Sequence, residues 1–113
     1  MGFYSQVQIT AEQNAFGMFK DTLDKHELKY EVSGTDNSRV IKIDWVKWYP
    51  HFDEVKAVEE VMHRLNEIYE EDYGYKMIVL NEDNTYERYC NERGDEHFYD
   101  MEVQCCIFNP YDV

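Results

Sequence analysis

The stretch RVIKIDWVKWYPHFDEVKAVEEVMHRLNEIYEED, from Arg39 to Asp72, decides the fold of this chain. Its first part alternates, with Ile41, Ile43 and Trp45 on one side and polar residues between them. This period of two predicts a half-buried strand from Val40 to Trp48. Proline then follows, and proline cannot donate a hydrogen bond to a neighbouring strand, so the strand must end there.

From Asp53 the period changes, and apolar residues recur at spacings of three and four. That pattern predicts a helix of about five turns with one buried face and one charged face. Gly74 is well placed to end the helix. The strand supplies a sheet surface, and the helix supplies the residues that cover it. The expected buried residues of the helix are Val55, Val58, Met62, Leu65 and Tyr69.

The same reasoning applies to the rest of the chain. Thr10-Ala11-Glu12-Gln13 fits a capping box that starts a helix, and Gly17 within that helix suggests a close approach to the sheet. In the first strand, Gln6 and Gln8 are expected to face outward. Asn91–Asp95 is expected to be a turn. The remaining predicted elements are strands at Phe3–Ile9, Leu28–Val32, Tyr75–Leu80, Thr85–Cys90 and Phe98–Phe108, and a helix at Thr10–His26.

The order of these elements predicts an α+β fold in one domain that spans residues 1–113. Strand, helix, strand, strand, helix, strand is the ferredoxin-like βαββαβ arrangement, an antiparallel sheet with two helices on one face. The right-handed crossover rule gives the strand order 4-1-3-2. The last two strands are expected to extend the sheet as a C-terminal two-strand meander.

Charge is the most informative bulk property of the chain. The formal net charge is -13; residues 1–52 contribute -1 and residues 53–113 contribute -12, counted on the same sequence. Such a surface repels nucleic acid and anionic membranes and attracts basic proteins. The alternative is a surface that only keeps the protein in solution. With no membrane-length apolar run and no signal peptide, we expect a cytoplasmic protein.

Motifs for catalysis are missing from the sequence. There is no glycine-rich phosphate loop, no nucleophile elbow and no H-E-x-x-H zinc motif. The three cysteines include no C-x-x-C pair, and the four histidines are scattered. The sequence therefore predicts a non-enzymatic protein with no catalytic residue, no metal site and no cofactor.

The candidate partner-binding residues are acidic, with an aromatic pair beside them. Glu70, Glu71 and Asp72 lie near the negative end of the predicted helix dipole, where carboxylates are unfavourable unless a partner uses them. A solvated helix end is the alternative explanation. Aromatic side chains dominate interface hot spots. The complete candidate set is Glu67, Glu70, Glu71, Asp72, Glu82, Asp83, Glu92, Asp95, Glu96, Trp48 and Tyr49.

A second functional class is a structural or assembly module. Met77 and Val79 face one side of their predicted strand, while Ile78 and Leu80 face the other. Both sides are apolar, which indicates either cover on both faces or an exposed patch. An exposed patch at Ile78 and Leu80 predicts a homodimer through the open sheet face.

Two stretches resemble short acidic proteins encoded by bacteriophages. They are the M-G-F-Y-S-Q-V opening at Met1–Val7 and the D-W-V-K-W-Y-P segment at Asp44–Pro50. Val32–Ser38 and Glu96–Met101 are similar to parts of small acidic anti-CRISPR proteins, which block the DNA-reading cleft of a CRISPR effector nuclease. These resemblances imply a phage inhibitor in the host cytoplasm, whose acidic surface occupies a basic, nucleic-acid-binding site on a host protein.

Overall fold

The computed structural model describes residues 4–35, 38–83 and 85–97. These residues form a mixed α+β structure, a five-stranded antiparallel sheet with three helices. The expected strand at Phe98–Phe108 lies outside the described residues. In chain order the elements are β1 (Ser5–Ala11), α1 (Gln13–Lys25), β2 (Glu31–Thr35), β3 (Ser38–Val46), α2 (Asp53–Leu65), β4 (Tyr75–Asn81), β5 (Tyr86–Cys90) and α3 (Glu92–His97).

The strand order across the sheet is β2-β3-β1-β4-β5, and every neighbouring pair is antiparallel. The first four strands therefore stand in the order 4-1-3-2, and β5 continues the sheet beside β4. Ser5 pairs with Val46 and with Asn81, which defines one end of the sheet, the Asn81 end. Ala11 pairs with Tyr75 at the opposite end, the Tyr75 end.

One face of the sheet carries the hydrophobic core. Val7 and Ile9 of β1 stand beside Met77 and Val79 of β4, and all four side chains are buried. Helices α1 and α2 cover this face, and each such buried aliphatic side chain stabilises the fold by about 1.5–3 kcal/mol. The residues that the two helices bury are Ala15, Phe19, Leu23, Val55, Val58, Val61, Met62 and Leu65.

The opposite face of the central strands is buried as well. Gln6 and Gln8, which were expected to face outward, are 6% and 1% exposed. Ile78 and Leu80 on the neighbouring strand are 1% and 4% exposed. The alternation of apolar and polar residues in β1 therefore does not distinguish buried from exposed positions, because both faces of this central strand are covered.

Helix α1 does not begin with the expected capping box. Thr10 lies in β1, where its hydroxyl is buried and has no hydrogen-bond partner among the described residues. The helix begins at Gln13, and its N-cap residue Glu12 makes no side-chain cap. The Asp72 carbonyl instead accepts a hydrogen bond from the Asn14 N–H at 2.9 Å. A distant loop thus satisfies the helix N-terminus.

Helix α2 is shorter than its sequence pattern predicts. It ends at Leu65 instead of continuing towards Gly74, and Tyr69 is 67% exposed instead of buried. The Leu65 carbonyl accepts hydrogen bonds from the Ile68 N–H at 3.0 Å and from the side chain of Asn91 at 3.0 Å. A tight turn and a tertiary contact therefore end the helix. Within the described ranges, no helix is long and apolar enough to cross a membrane.

Several boundaries predicted from local patterns are also wrong. Strand β2 begins at Glu31, and Val32 is 40% exposed, because β2 lies at the edge of the sheet. A Cβ added at Gly17 would meet nothing within 4 Å, so no close approach to the sheet explains that glycine. Asn91–Asp95 does not form an open turn, because all but its first residue belong to α3.

Candidate functional site

The structure divides the predicted partner-binding residues between the two ends of the sheet. The seven residues of β4 run from one end to the other, a span of about 20 Å at ~3.3 Å per residue. The candidate set therefore does not form one surface. Trp48, Tyr49, Glu82 and Asp83 belong to the segments at the Asn81 end. The segments at the Tyr75 end, here named the acidic end, hold Glu67, Glu70, Glu71, Asp72, Glu92, Asp95 and Glu96.

The acidic end consists of two segments, the loop after α2 and helix α3. The side chain of Asn91 connects them. Its amide donates to the carbonyl of Leu65 at 3.0 Å and to that of Tyr73 at 2.9 Å. Its oxygen accepts from the N–H of Tyr75 at 3.2 Å and from the N–H of Gly94 at 2.7 Å. Asn91 is 4% exposed, and both polar atoms of its amide are used. Asn91 therefore joins the end of α2, the start of β4 and helix α3.

Glu12 and Arg93 make a second connection. The guanidinium Nε donates to Glu12 Oε1 at 2.7 Å, and Nη2 donates to Oε2 at 2.8 Å. The N–H of Gly74 also donates to Glu12 Oε1 at 3.0 Å. Two-point pairs of this kind are among the strongest charged hydrogen bonds. Sequence reasoning missed both residues, because Glu12 looked like part of a helix cap and no local pattern links it to Arg93.

Two glycines allow the backbones at this end to approach closely. A Cβ at Gly74 would lie 2.7 Å from Glu12 Oε1 and 2.8 Å from Arg93 Cγ. A Cβ at Gly94 would overlap the backbone carbonyl of Tyr75. Helix α3 therefore packs with its backbone directly against the start of β4.

The acidic end displays carboxylates from both of its segments. Six of its seven acids are exposed, and Asp72 is half-buried with a backbone φ of 72°. The hydrogen bond to Glu12 is the main cause of a raised pKa at Arg93, and the charges of Glu71 and Glu96 add to it. Carboxylates of the loop and of α3 therefore both favour the charged form of the same guanidinium.

Two cations near the acidic end are already paired within the chain, whereas a third, Arg64 near the end of α2, is exposed. Arg93 is bound to Glu12, and Lys76 Nζ lies 4.0 Å from the Asp95 carboxylate, with the Lys76 side chain 7% exposed. Neither cation neutralises the bulk of the exposed carboxylates. Among the described residues, the surface at this end is strongly negative.

Comparison of the chain with protein-family models, with curated proteins and with solved structures finds no match. The functional interpretation of this chain therefore depends on its own residues. In the described ranges, no group of three or more histidine, cysteine or acidic side chains is arranged to hold a metal ion. Partial desolvation and the nearby Asp95 carboxylate raise the pKa of the Cys90 thiol, although the residue as a whole is exposed.

The aromatic candidates at the Asn81 end serve partly as structural residues. Trp48 is partly buried and packs against the core. The rings of Tyr49 and His51 are parallel, with centroids 5.8 Å apart, and Phe52 packs edge-on against both. This cluster lies between the end of β3 and the start of α2, and His51 within it is exposed.

The acidic candidates at the Asn81 end hold a turn together. Glu82 accepts a hydrogen bond from the N–H of Tyr4 at 3.0 Å, which fastens the start of β1. Asp83 accepts from the hydroxyl of Thr85 at 2.6 Å and from its N–H at 3.1 Å, and these bonds lower the pKa of Asp83. Both carboxylates therefore have local structural roles.

The two side chains expected to form a homodimer surface are buried in the structure. Ile78 and Leu80 therefore do not form the expected exposed patch, and the homodimer itself stays a prediction. The sequence also offered the alternative that β4 is covered on both faces, and the structure confirms that one.

Proposed function

We propose that this chain is a non-enzymatic protein that binds a partner through its acidic end. The partner would carry a basic surface that ordinarily binds nucleic acid, and carboxylates would take the place of phosphates. One observation carries the proposal: exposed carboxylates from the loop after α2 and from α3 lie at one end of the sheet, while Arg93 is bound to Glu12. A large field of one sign that the chain does not neutralise favours a partner of the opposite sign.

The partner class that we propose is a host protein in a bacterial cytoplasm, with this chain acting as a phage-type inhibitor, either an anti-CRISPR or another anti-defence protein. The resemblance of Met1–Val7 and Asp44–Pro50 to short acidic phage proteins supports this origin. We further propose that the fold is a variant of the ferredoxin-like arrangement, extended by β5. The βαββαβ order and the strand order 4-1-3-2 support that assignment.

The geometry favours the acidic end over the rest of the candidate set. Glu82, Asp83, Trp48 and Tyr49 lie at the far end of β4, about 20 Å away. That distance exceeds the ~8 Å over which surface charges act at physiological ionic strength. A partner steered by the acidic end would therefore make its first contacts there and reach the Asn81 end only if it spans the sheet.

The test compares two triple variants that change the net charge from -13 to -10 by neutralising three carboxylates each. Both replace exposed acids by their amides, so any difference between them reports position and not total charge. The acidic-end variant is Glu67→Gln, Glu70→Gln and Glu71→Gln. The control variant is Asp21→Asn, Glu31→Gln and Asp44→Asn.

Each protein is immobilised and exposed to a bacterial host lysate across a salt series, and captured proteins are identified by mass spectrometry. We expect a nucleic-acid-binding protein to be retained by wild type and control at low salt, released as salt rises, and displaced by duplex DNA. The acidic-end variant should retain at least tenfold less. Capture that ignores salt, or equal loss in both variants, would contradict the proposal.

A further inference from the structure

We infer that Glu12 and Arg93 are positioning residues, whose ion pair makes the 70–74 loop and helix α3 open and close as one unit. The inference rests on the proposed function, because it concerns how the carboxylates of the acidic end are held in position for a partner. The coupled opening is a property of the protein without its partner, and it can be tested in that state. Neither residue belongs to the exposed carboxylates assigned to partner contact.

The hydrogen bonds place Glu12 between the two segments. On one side, its backbone N–H donates to the carbonyl of Gly74 at 2.9 Å, and its carboxylate accepts from the N–H of Gly74. On the other side, the same carboxylate holds Arg93 of α3 at two points. Glu12 is 3% exposed, so water replaces these bonds only if the segments separate. Motion of one segment therefore disturbs the other.

Close packing strengthens the coupling between the 70–74 loop and helix α3. Gly74 and Gly94 leave no room even for a methyl group against Arg93 and the backbone of Tyr75. Tightly packed contacts of this kind have discrete arrangements and do not yield gradually. We therefore expect a closed state in which Arg93 is bound to Glu12 and α3 lies against β4, and a rare open state in which α3 has left β4.

The consequence for binding is preorganisation. A partner that meets carboxylates on a loop and on a helix gains affinity when the two are already held together, because no ordering cost is added on binding. The pair thus sets the relative position of two groups of acids without contacting the partner itself.

Amide hydrogen exchange of the full-length protein tests the inference in the absence of any partner. The informative amides are those of Gly74, bound to Glu12, and of Gly94, bound to Asn91. In Arg93→Gln, both should exchange about tenfold faster, while the amides of β1 and of residues 76–81 in β4 keep their rates. Gly94→Ala, which pushes α3 away from Tyr75, should produce the same paired increase.

The controls separate local opening from a general loss of stability. Arg64→Gln removes an exposed arginine near the end of α2 and should leave all rates unchanged. Arg93→Lys keeps the charge but not the two-point geometry and should give an intermediate increase at both amides; it replaces Arg93→Gln in the comparison if that variant does not fold.

An increase at Gly94 alone, or an equal increase at every core amide, would overturn the inference. Such a failure would leave the proposed function standing, because the lysate capture depends on surface carboxylates. Conversely, a lysate that yields no salt-sensitive partner would leave the exchange result unaffected.

Discussion

The side-chain amide of Asn91 donates a hydrogen bond to the backbone carbonyl of Leu65, 26 residues earlier in the chain, at 3.0 Å. A residue between β5 and α3 thereby occupies the last carbonyl of helix α2. The same amide donates to the carbonyl of Tyr73. The end of α2 is therefore set by a long-range contact as much as by the residues of the helix itself.

We predict that Asn91→Asp is strongly destabilising. A carboxylate cannot donate, so the carbonyls of Leu65 and Tyr73 would each lose the hydrogen bond from residue 91 and face a negative charge. The expected loss in the free energy of unfolding is about 2–4 kcal/mol, read from the midpoint of urea unfolding. The control is Asn66→Asp, which keeps the oxygen that accepts from the Tyr75 hydroxyl and should cost under about 1 kcal/mol. Equal midpoints for the two variants would refute this account.

We predict that Glu12→Ala lowers the free energy of unfolding by about 3 kcal/mol, because it leaves Arg93 and the N–H of Gly74 without their buried acceptor. Glu70→Ala removes an exposed carboxylate and should change it by less than about 0.5 kcal/mol. Guanidinium chloride is unsuitable here, since its salt screens the ion pair, so urea should be used. A loss at Glu12 no larger than that at Glu70 would show that the pair contributes nothing to stability.

The sheet was more predictable from the sequence than its connections. Residues 75–80 read as a strand with two apolar faces, and β4 (Tyr75–Asn81) is a strand buried on both faces. That pattern depends only on nearest neighbours along the chain. Helix α2 began where the period changed, at Asp53, and buried four of the five expected residues.

Connections were harder because long-range groups decide them. The pattern carried α2 on to Tyr69, but the helix ends at Leu65, where a tight turn and the hydrogen bond from Asn91 follow. A capping box at Thr10 satisfied every local rule, yet β1 continues through Thr10 and a loop carbonyl from Asp72 supplies the cap. For the candidate site, the acids of the loop and of α3 were named from the sequence, whereas the Glu12–Arg93 pair that joins them was not.

Two glycines should respond in opposite directions to the same substitution. Gly17 lies within α1 with open space around its Cα, so Gly17→Ala should raise the free energy of unfolding by about 0.5–1 kcal/mol. Gly34 has a φ of 88°, and a Cβ there would overlap the carbonyl of Ser38. Gly34→Ala should therefore lower it by about 1–3 kcal/mol. Thermal unfolding of both variants provides the check, and a shift of the same sign in both would contradict the two assignments.

Tyr75 should make the protein sensitive to alkaline pH. Its hydroxyl donates to the Asn66 side chain at 2.7 Å, and burial of the ring, with the Cys90 thiol nearby, raises the pKa of Tyr75 well above its ordinary value of 10.0. Above that ordinary value the unfolded chain releases the phenol proton while the folded chain keeps it. The unfolded state then binds fewer protons, so the free energy of unfolding falls as pH rises above about 10.

The measurement is a tyrosine absorbance titration combined with urea unfolding at pH 8 and above pH 10. In wild type, the phenol of Tyr75 should remain protonated until the protein unfolds, and Tyr75→Phe should lack that late component. Tyr75→Phe should also lose the hydrogen bond to Asn66, about 1 kcal/mol at pH 8, yet lose less stability than wild type between the two pH values. Tyr4→Phe, which changes a tyrosine that is 44% exposed, should keep the late component. A late component that survives in Tyr75→Phe would assign the alkaline sensitivity to another group.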